Sequence, residues 1–127
     1  MIKLVFCLRR IPELSREEFQ RYWRDRHAPL VKRHAATLKL RRYVQTHTRE
    51  DPRLAAVADQ RGSAGRAFDG VAELWWDDIE SLLEALSTEA GQAAGRELLE
   101  DEARFIDLPN SPIFFAEEFD VIDPPGG

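Results

Sequence analysis

The sequence predicts an α+β domain, an antiparallel four-stranded sheet with helices on one face, and three observations carry that expectation. Its 127 residues suit one hydrophobic core rather than two. Apolar residues recur at strand period in some blocks and at helix period in others. Those blocks follow the order strand, helix, strand, strand, helix, strand.

Ile2, Leu4, Phe6 and Leu8 alternate with Lys3, Val5, Cys7 and Arg9, the pattern of a strand with one strongly apolar face. Past Pro12, Ser15 and Glu18 form a Ser-x-x-Glu capping box, and Phe19, Trp23, His27, Leu30, Val31 and His34 then recur at helical spacing. Pro29 has no amide to donate and restricts Ala28, so this helix is predicted to kink or break beside His27. Leu38 to Thr48 reads as the second strand, with Leu40, Val44 and Thr46 on one side and Arg41, Tyr43, Gln45 and His47 on the other.

Residues 49–68 lose periodicity and are predicted to form a long surface loop, with a short helical turn at Leu54 to Val57. Asp69 to Trp76 is the third strand. Asp77 with Glu80 is predicted to cap a helix that buries Ile79, Leu82, Leu83 and Leu86, and a further helical segment restarts at Ser87 or Thr88 toward Phe105. Pro109 to Pro112 turns the chain into a last strand over Ile113 to Ile122, and Phe6, Phe114 and Phe115 are assigned to the core. The domain is thus expected over 1–123, with 124–127 a frayed tail.

This order is that of a ferredoxin-like βαββαβ sandwich with both helical layers on one sheet face. The other face is expected to carry Val5, Cys7, Tyr43 and Trp75. An open apolar face of that size predicts a two-fold homodimer through sheet faces.

Composition narrows the function classes. A formal net charge of -5 argues against nucleic acid as the primary partner, because phosphate binding needs a basic surface. Arg9, Arg10, Arg41 and Arg42 serve either as solvated surface charges or as an attraction for an anionic small molecule. No apolar run approaches the ~18 residues of a membrane helix, no signal segment is expected, and Cys7 stands alone, so a cytoplasmic location without disulfides or a membrane partner is predicted. Three scattered histidines without a His-Glu-x-x-His or Cys cluster give no metal expectation, and Gly62-Ser63-Ala64-Gly65 joins no strand to a helix, so no nucleotide or other cofactor is expected.

Several segments together resemble a known family: the opening Met-Ile-Lys-Leu-Val, Ser-x-Glu-Glu-Phe at Ser15 to Phe19, Tyr22-Trp23 followed by His27-Ala28-Pro29-Leu30-Val31, Arg41 to Gln45, and Phe68-Asp69-Gly70-Val71-Ala72-Glu73-Leu74-Trp75. They resemble the EthD-like branch of the dimeric α/β barrel proteins over most of the chain. The resemblance implies a ferredoxin-like protomer that dimerises through its sheets and encloses a pocket in each protomer. Functions across that superfamily are diverse. EthD is associated with an ether-degrading cytochrome P450 system, and relatives include lactone isomerases, polyketide cyclases and cofactor-free monooxygenases. In the methylmuconolactone isomerase relatives a first-helix His and a second-strand Tyr are the proposed acid/base pair, which the resemblance carries to His27 and Tyr43. Fold alone does not settle chemistry.

His27 is therefore the leading general base, because imidazole exchanges protons near neutral pH; its alternative role is to bond a free carbonyl at the helix end. Tyr43 is the electrophilic partner, or else an interface aromatic. Gln45 and His47 share its face by two-residue alternation and join the expected substrate-binding set, as do Trp23, Glu73 and Trp75. Glu73 is equally suited to an ion pair. Cys7 in an apolar strand reads as packing rather than nucleophile. The resulting expectation is an enzyme or pathway auxiliary acting on an apolar carbonyl-bearing or aromatic compound by cofactor-free acid/base chemistry. The alternative is a ligand-binding accessory of an oxygenase system.

Overall fold

The structure is a computed structural model and describes residues 1–123 and 125. The tail predicted at 124–127 otherwise lies outside the described residues. Four strands, β1 (Ile2–Leu8), β2 (Arg42–His47), β3 (Gly70–Trp76) and β4 (Ile113–Ala116), form one antiparallel sheet in the order β2-β3-β1-β4. Helices α1 (Arg16–Tyr22) and α2 (Ala28–His34), joined by a wide π turn at Trp23–His27, make up the first helical layer. The short α3 (Ala55–Asp59) lies in the loop, and α4 (Ile79–Ser87) and α5 (Glu89–Glu102) complete the second layer. This is the ferredoxin-like arrangement expected from the element order.

Register decides what faces the helices. Leu4 pairs with Leu74 and Phe6 with Ala72, while Tyr43 pairs with Leu74 and Gln45 with Ala72. Tyr43, Gln45 and His47 therefore look toward the helices, with Phe6, Leu8 and Ala72. Val5, Cys7, Val44, Val71, Glu73 and Trp75 share the opposite face. Placing Tyr43 on the open face is corrected here, because two-residue alternation groups side chains without saying which group points inward.

The main core joins Leu8, Phe19, Trp23, Ala72, Phe105 and Ile106. Trp23 reaches the sheet only because residue 70 is glycine: a Cβ there would lie 2.4 Å from Cζ3 of Trp23 and 2.9 Å from the Thr46 carbonyl oxygen. Asp69, just before it, is buried, receives the Arg10 amide at 2.8 Å, and pairs with Arg10 and Arg16 at 2.6 and 2.9 Å. Burial opposes its charge, but these donors prevail and hold its carboxyl below the usual range. The Asp-Gly dipeptide thus ties the loop end to the helix start and seats the tryptophan.

Several boundaries differ from expectation. The Ser15–Glu18 capping box is present, but the helix does not break at Pro29: the backbone stays right-handed helical from Trp23 through Ala28. The Ala28 amide instead donates to the Trp23 carbonyl five residues back. A π turn widens the helix where the proline ring would otherwise crowd the preceding turn. The second strand begins at Arg42, because Lys39 takes a positive φ of 56° and turns the chain. Asp78, not Asp77, caps α4, accepting from the Ser81 amide at 2.7 Å. On α4 only Leu82 and Ala85 are buried, whereas Ile79, Leu83 and Leu86 are exposed. The last strand ends at Ala116, and Phe114 and Phe115 are about half exposed on this edge strand rather than in the core.

Candidate active site

His27 closes the π turn and is 4% exposed. Its Nδ1 lies 2.7 Å from Oδ2 of Asp101, in the last turn of α5. The other Asp101 oxygen accepts from the Tyr22 hydroxyl at 2.5 Å and from Arg104 at 3.0 Å. Burial opposes the Asp101 charge, but the bonds from Tyr22, His27 and Arg104 outweigh it and keep the carboxylate ionised. An ionised carboxylate only accepts, so it fixes the His27 tautomer with the proton on Nδ1. Burial lowers the imidazole pKa, against the pull of Asp101. At neutral pH His27 is neutral, and its Nε2 carries a free lone pair.

Among the described residues Nε2 has no hydrogen-bond partner, and no fully sealed polar side-chain atom is left unpaired. Nε2 therefore opens onto free space. His27 itself walls a cavity of about 50 Å³ between helices and sheet, together with Phe6, Trp23, Val31, Tyr43 and Glu102 among others. His27 and Tyr43 thus share one cavity. Burial raises the Tyr43 pKa, partly offset by Gln45 and the Trp23 indole, so the phenol stays protonated. Burial, reinforced by the neighbouring Asp101 charge, lifts the Glu102 carboxyl to about 7.

Behind Tyr43 runs a braced row. The Gln45 amide nitrogen donates to the Tyr43 hydroxyl at 2.9 Å and to the Trp23 carbonyl at 3.0 Å. Its oxygen accepts from Nε2 of His47 at 2.9 Å, and the His47 ring stacks 4.5 Å from that of Trp23. Because Gln45 fills one acceptor position of the phenol, the Tyr43 proton is free to point into the cavity. Gln45 and His47 stand outside the cavity wall and orient Tyr43 and Trp23.

Glu73 and Trp75 lie on the far side of the sheet, so the structure does not bring them to this cavity. Glu73 is ion-paired with Lys3, and the Trp75 indole donates to Glu118 at 2.5 Å. Cys7 is on that face too; burial, then the Glu73 charge, raises its thiol pKa and suppresses the thiolate.

The small cavity adjoins a larger cleft of about 570 Å³ along α2 and the start of β2, and Val31 and Tyr43 line both. Sequence reasoning missed Asp101 and Glu102. One signal was available: adjacent acids in the last turn of a helix oppose its macrodipole, so they need another reason to be there. Among the described residues no group of three or more His, Cys, Asp or Glu is placed to hold a metal, and no helix is long and apolar enough to cross a membrane.

The sheet order and the two helical layers define a ferredoxin-like α+β protein with a helix-side cavity. Residues 11–109 match the EthD domain, and the chain belongs to the EthD family. Among solved structures, an EthD family protein from Bacillus halodurans C-125 is 26% identical, with a TM-score of 0.61 over 94% of this chain and 99% of that one. An EthD-like protein from Ralstonia eutropha JMP134 is 20% identical, with a TM-score of 0.57 over 98% and 96%. A dimeric protein of unknown function and ferredoxin-like fold from Bacteroides fragilis is 11% identical, with a TM-score of 0.56 over 92% and 95%. No curated protein matches.

Proposed function

We propose that this chain is a small-molecule enzyme that performs acid/base chemistry with its own side chains on an apolar, carbonyl-bearing compound. One observation carries the reading: His27 and Tyr43 line the same cavity while Asp101 holds the other His27 nitrogen. Nε2 of His27 takes a proton from the carbon next to the carbonyl, and the electron pair of that C–H bond moves onto the carbonyl oxygen. The Tyr43 phenol donates a hydrogen bond to that oxygen as it becomes an enolate. Asp101, itself held by Tyr22 and Arg104, stabilises the imidazolium that forms. Glu102 titrates near neutrality and supplies a second proton site in the same space, so the proton can return to a different carbon. The net change is an isomerisation.

Proton exchange at carbon tests this without knowledge of the natural substrate. Indanone and an unsaturated γ-lactone in heavy water, followed by NMR, should exchange the hydrogen next to the carbonyl faster with the protein than without it. His27→Gln and Tyr43→Phe should each lower that catalysed rate by roughly 100-fold or more, the ordinary contribution of a positioned acid or base. Equal catalysis by wild type and both variants overturns the assignment.

The working unit we propose is a homodimer formed through the open sheet face. Val5, Val44 and Val71 are partly buried there, and Phe114 shares that face with 49% exposure. An uncovered apolar sheet face calls for a partner.

A further inference from the structure

The small cavity is far below the roughly 300 Å³ at which small-molecule sites begin, so most of a substrate has to lie in the adjoining cleft of about 570 Å³. That cleft has an apolar floor of Ala28, Pro29, Val31, Ala35 and Leu40, ending on Tyr43. Its charged members are all cationic: Arg24, Lys32, Arg41 and Arg42. Among the described residues no carboxylate lines it, although the chain has 23 acidic residues against 18 basic ones. The guanidinium of Arg42 lies over Trp75, on the other sheet face, 4.6 Å from the ring centroid, which leaves three cations for the cleft. Arg24 and Arg41 are exposed; Arg24 is held by both oxygens of Asp25 at 2.9 and 3.4 Å, whereas Arg41 has only Asp77 at 3.4 Å. Lys32 is exposed and has no ion pair among the described residues. A local cationic mouth on a net acidic protein attracts small anions and not polyanions.

We infer that the substrate is an amphipathic organic acid, held by its carboxylate between Lys32 and Arg41 at the cleft mouth, with its apolar body on the α2 floor and its reacting carbon beyond Tyr43. The mouth residues sit in mid-helix and at a strand start, and the start of α2 in the floor continues the π turn, its Ala28 amide already donated to the Trp23 carbonyl and Pro29 having none, so it lacks the several free donors that a phosphate needs. A single negative head on an apolar body matches both the charge and the floor. This inference rests on the His27 cavity being the reacting end, because that sets which way the molecule lies.

Calorimetric titration with phenylbutyrate, phenylbutanol and phenylbutylamine tests it, since the three share one body and differ in head charge. Phenylbutyrate should bind more tightly than phenylbutanol, and phenylbutylamine should bind least. Added salt should weaken the acid selectively, because the mouth charges are exposed. Lys32→Gln with Arg41→Gln should cost the acid roughly tenfold, the loss of a charge-assisted contact, and leave the alcohol unchanged. Indifference to head charge, or absence of binding by all three, overturns the inference. Acid-selective binding by a protein that fails the proton-exchange test would retain this cleft and refute only the acid/base reading.

Discussion

Glu102 is the residue whose ionisation departs furthest in a useful direction. Its carboxyl rises from 4.5 to about 7, burial first and the Asp101 charge second. A folded value above the unfolded one means the native state holds its proton more tightly. The associated stability is fully present below pH 4.5 and is lost as pH rises through about 7. Glu102→Gln should therefore flatten that decline and make the protein more stable than wild type above pH 8, by on the order of 3 kcal/mol. Urea denaturation at pH 5 and pH 9 measures the difference; equal slopes in both proteins would rule out a perturbed Glu102. His27 was legible in the sequence, because its helical spacing from Trp23 and Leu30 puts it on the inward stripe. Its partner was not, since Asp101 lies 74 positions away and only the packing of α5 on the π turn joins them.

The elements show where periodicity informs and where it stops. Alternation grouped Tyr43, Gln45 and His47 correctly, yet the face they occupy follows from pairing with β3, a long-range fact. Pro29 signalled an irregularity beside His27, but the chain resolved it as a wider turn instead of a break. That turn brings the Trp23 carbonyl to the Gln45 side chain, and so connects the first helix to the strand that carries Tyr43. The contact between β3 and the π turn can be tested at Gly70. Gly70→Ala drives a methyl group into the Trp23 indole and should destabilise the fold by about 1–3 kcal/mol. Trp23→Leu in the same chain should then cost less than it does alone, a coupling that a double-mutant cycle reads directly. Strict additivity would mean that the glycine is not there for the indole.

For the whole molecule, the overall fold was the most legible property, because six elements in this order leave few ways to cover one sheet face. The partner of the other face could not be read residue by residue. Trp75, expected on an open face, is 4% exposed within the single chain, where Lys3, Arg42 and Glu118 cover it. The uncovered apolar surface is shifted toward β4 and Phe114 instead. Phe114→Lys should convert the proposed dimer to a monomer while leaving the far-ultraviolet dichroism of the fold intact. Light scattering at micromolar concentration decides it, and a wild-type monomer under those conditions would refute the sheet-face dimer.

The stacking of Trp23 on His47, one wall away from His27, has a practical consequence. An indole packed against a titratable ring emits differently when that ring gains a proton, and burial with the Arg24 and Arg49 charges already keeps His47 below its ordinary pKa. Trp23 also forms part of the cavity wall, so its emission is sensitive to whatever enters. Trp75 and Trp76 do not line this cavity. The molecule thus carries its own optical gauge of His47 protonation and of cavity occupancy, with no label attached.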